Sequence, residues 1–267
     1  MIAPLQKKPL PAMLKAMQKA LLKALPKALL ILLACVLMFA VQTALALLGA
    51  RTASLFDYSA FDPNHAFAWI SVHHVVQGAA ALIVMAILSL MFKLNFHLGL
   101  GEKRMGMRIV LWFTVIIAVY QFAMWFVLNA FHLTKPFAYP VTFKNVLGVL
   151  SFQLFLSGTS EELLFRAFPV TLLMLAAPKS YRLFNNRAEL PLSVILAAVL
   201  FSLGHVNWAL NPFRLQYDIL QLLYALAIGI IQGWAYVKTR SVVYPMMMHG
   251  ISNVLVTVLS IVMPLLF

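Results

Sequence analysis

Acidic side chains are scarce in this chain. Only seven Asp and Glu stand among 267 residues, against twenty Lys and Arg. Charged residues make up 10% of the total, where a soluble globular domain carries about 25%. Too little charge is present to cover a water-facing surface, which excludes an ordinary soluble fold. Cysteine is scarcer still: Cys35 stands alone in an apolar run, so no intrachain disulfide can form. An H-E-x-x-H zinc-protease helix and a P-loop are both missing. No G-x-S-x-G elbow occurs at Gly158-Thr159-Ser160, because Glu161 and Glu162 follow where a glycine is needed.

What remains is apolar. Hydrophobic residues reach 63% and the mean hydropathy is +0.93. The expected fold class is all-α: a polytopic transmembrane helix bundle of about seven spans. Apolar segments of spanning length fall at about 28–50, 68–92, 109–131, 144–176, 190–210, 217–237 and 241–266. The chain then divides into a basic segment at 1–27, three N-terminal helices at 28–143 and the helices of 144–267. The fourth segment is too long for one straight span. Gly158-Thr159-Ser160 interrupts it, and Ser160 before two acids reads as a helix N-cap.

The net charge of +13 would suit nucleic acid, but the basic residues lie at the ends of apolar spans, so no nucleic-acid partner is expected. With the N-terminus inside, fifteen of the twenty Lys and Arg fall on the inner side and four on the outer, with Arg166 within a span. That bias sets an N-inside, C-outside topology; the expected location is the plasma (inner) membrane. In residues 1–27, Lys15, Lys19, Lys23 and Lys27 recur every fourth position, while Leu14, Met17, Leu21 and Leu25 share another face. This is a basic amphipathic helix suited to anionic lipid, with Pro26 at its junction with the first span. Ala44-Leu45-Ala46 resembles a signal-peptidase site, but the basic region is too long and the apolar run is of spanning length.

Polar clusters inside apolar segments carry the functional signal, because an ionised carboxylate in lipid is expensive. Glu162 and Arg166 are one turn apart and can pair. Glu161 points about 100° away and is left for another role. Phe201 precedes His205 by one turn and can wall the same pocket. His249 and Asn253 share a helix face, with Pro245 fitting the first turn. His73 and His74 are neighbours on a helix and cannot face one point. Asp57, Asp62 and His65 form a loop cluster able to meet a cation, with solvated loop side chains as the plainer reading. Gly229 and Gly233 mark close helix packing. The rise per residue puts His249 about 9 Å shallower than Glu161 and His205, measured from the inner boundary. A break at Gly158, or a last helix that starts deeper, would close that gap.

The ordered set E-E-x-x-x-R (Glu161, Glu162, Arg166), F-x-x-x-H (Phe201, His205) and H-x-x-x-N (His249, Asn253) resembles the CAAX protease and bacteriocin-processing (CPBP, or Abi) family of intramembrane endopeptidases. The resemblance covers about residues 144–267. It implies cleavage of a membrane-associated protein or peptide; type II CAAX prenyl endopeptidases in the family remove the last three residues of prenylated proteins. On the matched positions Glu161 would be the general base, His205 its partner in activating water, and His249 and Asn253 the oxyanion stabilisers. Glu162, Arg166 and Phe201 would support them. Those side chains suffice for peptide hydrolysis without a cofactor, the preferred reading. Glu161, His205 and His249 could instead hold Zn²⁺ with an open fourth position. Two other functions compete. A proton- or cation-coupled transporter also uses intramembrane Glu and His, though no internal repeat is visible. A catalytically idle scaffold would not need the motif residues intact.

Overall fold

The structure, a computed structural model, describes residues 12–183, 188–210 and 212–266, with side chains in the first helix from Pro26 onward. The amphipathic pattern of residues 1–25 lies outside the described side chains. Helix α1 (Ala12–Ala53) runs through Pro26 without ending there, so the expected junction is not a break. Then come α2 (Ala68–Phe92), α3 (Lys103–Ala130) and a helical run from α4 (Phe143–Ser151) through α5 (Gly158–Glu162) to α6 (Phe168–Ala176). A β-hairpin, β1 (Ser180–Leu183) and β2 (Ala188–Pro191), precedes α7 (Leu192–Leu203). A second hairpin, β3 (Asn207–Leu210) and β4 (Phe213–Gln216), precedes α8 (Ile219–Thr239) and α9 (Val243–Leu266).

The helical bundle is as expected, and the protein is an integral membrane protein. Seven spans are not seen as seven long helices. Pro26–Ala53, α2, α3, α8 and α9 are long and apolar enough to cross a membrane. At twelve residues, α7 reaches about 18 Å, short of the roughly 30 Å of a hydrocarbon core. The fifth expected segment, 190–210, is therefore part helix and part hairpin. The fourth is one continuous helical run wound unevenly.

That uneven winding has a local cause and a use. Phe152–Ser157 and Leu163–Ala167 are π-helical and flank α5, which carries both glutamates. Such widened turns loosen the backbone ladder and gather at functional sites. Here neighbouring groups pick up carbonyls of the widened turns. The amide of Gln42 in α1 donates to the Leu164 carbonyl at 2.9 Å, and Thr159 Oγ1 donates to the Phe155 carbonyl at 2.6 Å. Ser160 does not cap a helix start, because the chain is already helical before it. The N-cap of the run is Thr142, whose side chain accepts from the Asn145 N–H at 3.2 Å.

Helix α9 runs against this segment at backbone distance. A Cβ on Gly250 would stand 2.6 Å from the Leu154 carbonyl, and one on Gly158 would stand 2.9 Å from the Met246 carbonyl. Gly229 and Gly233 face Ala198 and Val194, so the small-residue pair does mark close packing, of α8 on α7. Around the site the apolar core gathers Leu164, Ala167, Val170, Val194 and Ala197 with Met85 of α2. Elsewhere large apolar side chains such as Leu37, Ile83, Leu90 and Ile116 face outward, as lipid-facing positions do.

Asp62 is not a solvated loop residue. It is fully buried, and its carboxylate accepts from the N–H groups of Ala66, Phe67 and Ala68 at 2.8–3.0 Å, closing the start of α2. Burial alone pushes this carboxyl up. The N–H groups of Ala68, Phe67 and Ala66, with the charge of His65, outweigh that and hold it below the ordinary carboxylate range.

Candidate active site

The motif residues converge on α5. Glu162 and Arg166 are both fully buried, with Arg166 Nε 3.1 Å from Glu162 Oε2. The Nε–H is not aimed at that oxygen, so the contact is an ion pair rather than a directed hydrogen bond. Arg166 Nη2 donates to Gln232 Oε1 on α8, and the guanidinium lies 3.9 Å from the centre of the Phe201 ring. Glu162 Oε1 meets His249 Nδ1 at 2.8 Å. A carboxylate only accepts, so Nδ1 carries the proton and Nε2 is turned away from Glu162. That nitrogen is 3.8 Å from Glu161 Oε2.

Glu161 differs from its neighbour. Its side chain keeps 20% of its surface exposed, while that of Glu162 keeps none. Oε1 is held twice, by His74 Nε2 at 3.3 Å and by the Ser157 hydroxyl at 3.4 Å. Among the described residues Oε2 has no hydrogen-bond donor, because the 3.8 Å to His249 is beyond bonding range. One carboxylate oxygen is anchored and the other is available.

His205 sits in the turn after α7. Its Nδ1 donates to the Phe201 carbonyl at 2.9 Å, which leaves Nε2 as a bare proton acceptor. Its ring lies edge-on to Phe201 at 4.7 Å, and Phe201 also touches His249 at 6.0 Å between ring centres. Asn253 does not reach Glu161. Its amide donates to Gln153 Oε1 at 2.9 Å and to Ser157 Oγ at 3.1 Å, which commits both of its N–H groups. The hydrogen bonds therefore run in series, from Asn253 to Ser157 to Glu161.

The three motifs meet without a break at Gly158. Helix α9 is antiparallel to the α4–α6 run, which brings His249 beside Glu161 and Glu162 and Asn253 beside Gln153. His74, Gln153, Ser157 and Gln232 were not among the expected site residues. Each is a polar side chain in an apolar helix, and that was the available signal. His73 turns aside to Gln77 at 3.1 Å, as adjacency requires. Among the described residues no three His, Cys, Asp or Glu side chains are grouped so as to hold a metal ion. Glu161, His205 and His249 do not form such a group as they stand.

No curated protein and no solved structure matches the chain significantly. A family described as Type II CAAX prenyl endopeptidase Rce1-like matches residues 142–255. The matched stretch, less than half of the chain, holds Glu161, Glu162, Arg166, Phe201, His205, His249 and Asn253, and is similar to that family.

Proposed function

We propose that the protein is an intramembrane endopeptidase that hydrolyses a peptide bond near the end of a membrane-associated, prenylated protein or peptide. The family supports a peptidase of CAAX type. The observation that carries the chemistry is the asymmetry of Glu161, with Oε1 anchored and Oε2 free. Oε2 takes a proton from water, and the hydroxide attacks the scissile carbonyl. His205 Nε2 shares the incoming proton. His249, oriented by Glu162 through Nδ1, presents Nε2 to the same point. When protonated there, it donates to the tetrahedral oxyanion. Glu161 then returns its proton to the leaving amine. Asn253 acts through Ser157, keeping Oε1 in place. The reaction is metal-free on this reading, and the protein sits in the plasma membrane with anionic lipid at its basic N-terminus.

The test uses purified protein in liposomes with a fluorogenic farnesylated CAAX peptide. Wild type releases the C-terminal tripeptide. Glu161→Gln loses at least about 10³-fold in kcat, the scale of a removed general base. Full activity in that variant sinks the assignment. Stoichiometric zinc by elemental analysis, with activity lost to a chelator and restored by zinc, overturns the metal-free part. Cation uptake with no cleavage returns the transporter.

A further inference from the structure

The family match begins at residue 142, yet one wall of the site comes from α2, far upstream. His74 Nε2 stands 3.3 Å from Glu161 Oε1, and its side chain is only 10% exposed. One turn further along α2, Gly78 faces Ser160: a Cβ there would lie 3.2 Å from the Ser160 Cβ. A glycine at that position lets α2 come close enough for an imidazole to reach the base. The Phe152 ring of the first π-helical stretch lies edge-on to the His74 ring at 5.0 Å and limits its rotation.

The hydrogen bonding fixes what His74 does. Its Nδ1 is buried and has no partner among the described residues. If Glu161 donated to Nε2, the proton on Nδ1 would be an orphaned buried donor, a rare and costly state. With the proton on Nε2, the imidazole donates to Oε1 and Nδ1 is left as an unused acceptor. Ser157 donates to the same oxygen. Two donors on one oxygen hold the carboxylate's rotation, so that Oε2 faces His249.

We infer that His74 is a positioning residue for Glu161, contributed by the N-terminal helices, which fixes the base so that only Oε2 is offered to the reaction. This inference rests on the proposed peptidase mechanism for its kinetic consequence but not for the contact itself. The consequence is a site completed from outside the matched region, so residues 142–255 alone lack one of the two donors to Oε1.

Two measurements on the full chain test it. In the peptide assay, His74→Phe keeps a ring and removes the donor; kcat falls about 10- to 100-fold with KM unchanged. His74→Gln restores an N–H near the Nε2 position and recovers most of kcat. Unchanged kcat in His74→Phe, or no recovery in His74→Gln when both variants fold, overturns the positioning role. Separately, thermal unfolding of His74→Phe, Glu161→Gln and the double variant forms a cycle. A non-additive shift in Tm supports the contact, and additive shifts overturn it. A non-additive cycle in a wild-type protein that cleaves nothing keeps the His74–Glu161 contact and removes the peptidase reading.

Discussion

Two adjacent glutamates meet different surroundings because they stand one residue of helical rotation apart. Glu162 is enclosed and faces Arg166 and His249, whereas Glu161 is partly exposed and faces His74, Ser157 and the free side of His249. The enclosed pair is sensitive to losing either partner, because the remaining charge has no water to turn to. Glu162→Gln or Arg166→Met each leaves one buried charge without its ion-pair partner and costs about 3–5 kcal/mol. Replacing both together costs less than either single change on the ion-pair account. Thermal unfolding in detergent of the two single variants and the double variant checks this; a double variant worse than the sum sets the account aside. Neighbouring acids and an arginine one turn on were enough to tell from sequence which glutamate pairs with Arg166. His74 was not legible, because the rule that adjacent histidines diverge says nothing of which one turns inward.

At the scale of elements, the site depends on two helices touching at backbone distance. Gly250 lies next to His249 and three residues before Asn253, and its Cα faces the Leu154 carbonyl. A side chain there meets backbone, which cannot move aside as a flexible side chain can. Gly250→Leu therefore pushes α9 away from the π-helical turn and moves His249 and Asn253 together. Cleavage falls at least about 100-fold, while Gly229→Ala, whose Cβ would meet the Ala198 methyl of α7 rather than backbone carbonyl, has a smaller effect. Initial rates of both variants, normalised to folded protein, provide the comparison; equal losses would count against the α9 account. The uneven winding around α5 was only half legible. Gly158-Thr159-Ser160 signalled an irregularity, but a π-turn keeps the chain helical. Its loose carbonyl at Leu164 is met by Gln42, 122 residues away.

Across the whole molecule, the basic residues and the packing bear on one topology. Lys103 opens α3, while Lys135 follows that helix and pairs with Asp218 at the start of α8 at 2.7 Å. With the N-terminus inside, cysteines placed at these two positions, after Cys35→Ala, react from opposite sides. A membrane-impermeant maleimide then labels Lys135→Cys from outside and Lys103→Cys only after permeabilisation; the reverse pattern overturns the N-inside topology. Composition alone determined a membrane-embedded helical protein, because so few charges cannot cover a water-soluble surface. The ordered motifs alone pointed to an intramembrane peptidase and named seven candidate residues for its centre. Tertiary structure decided the rest. It shortened α7, folded the flanking segments into hairpins, turned Asn253 toward Ser157, and brought His74 and Gln232 to the site. These are contacts between residues distant in the chain, and periodicity along a single helix carries no information about which distant side chain will complete a hydrogen bond.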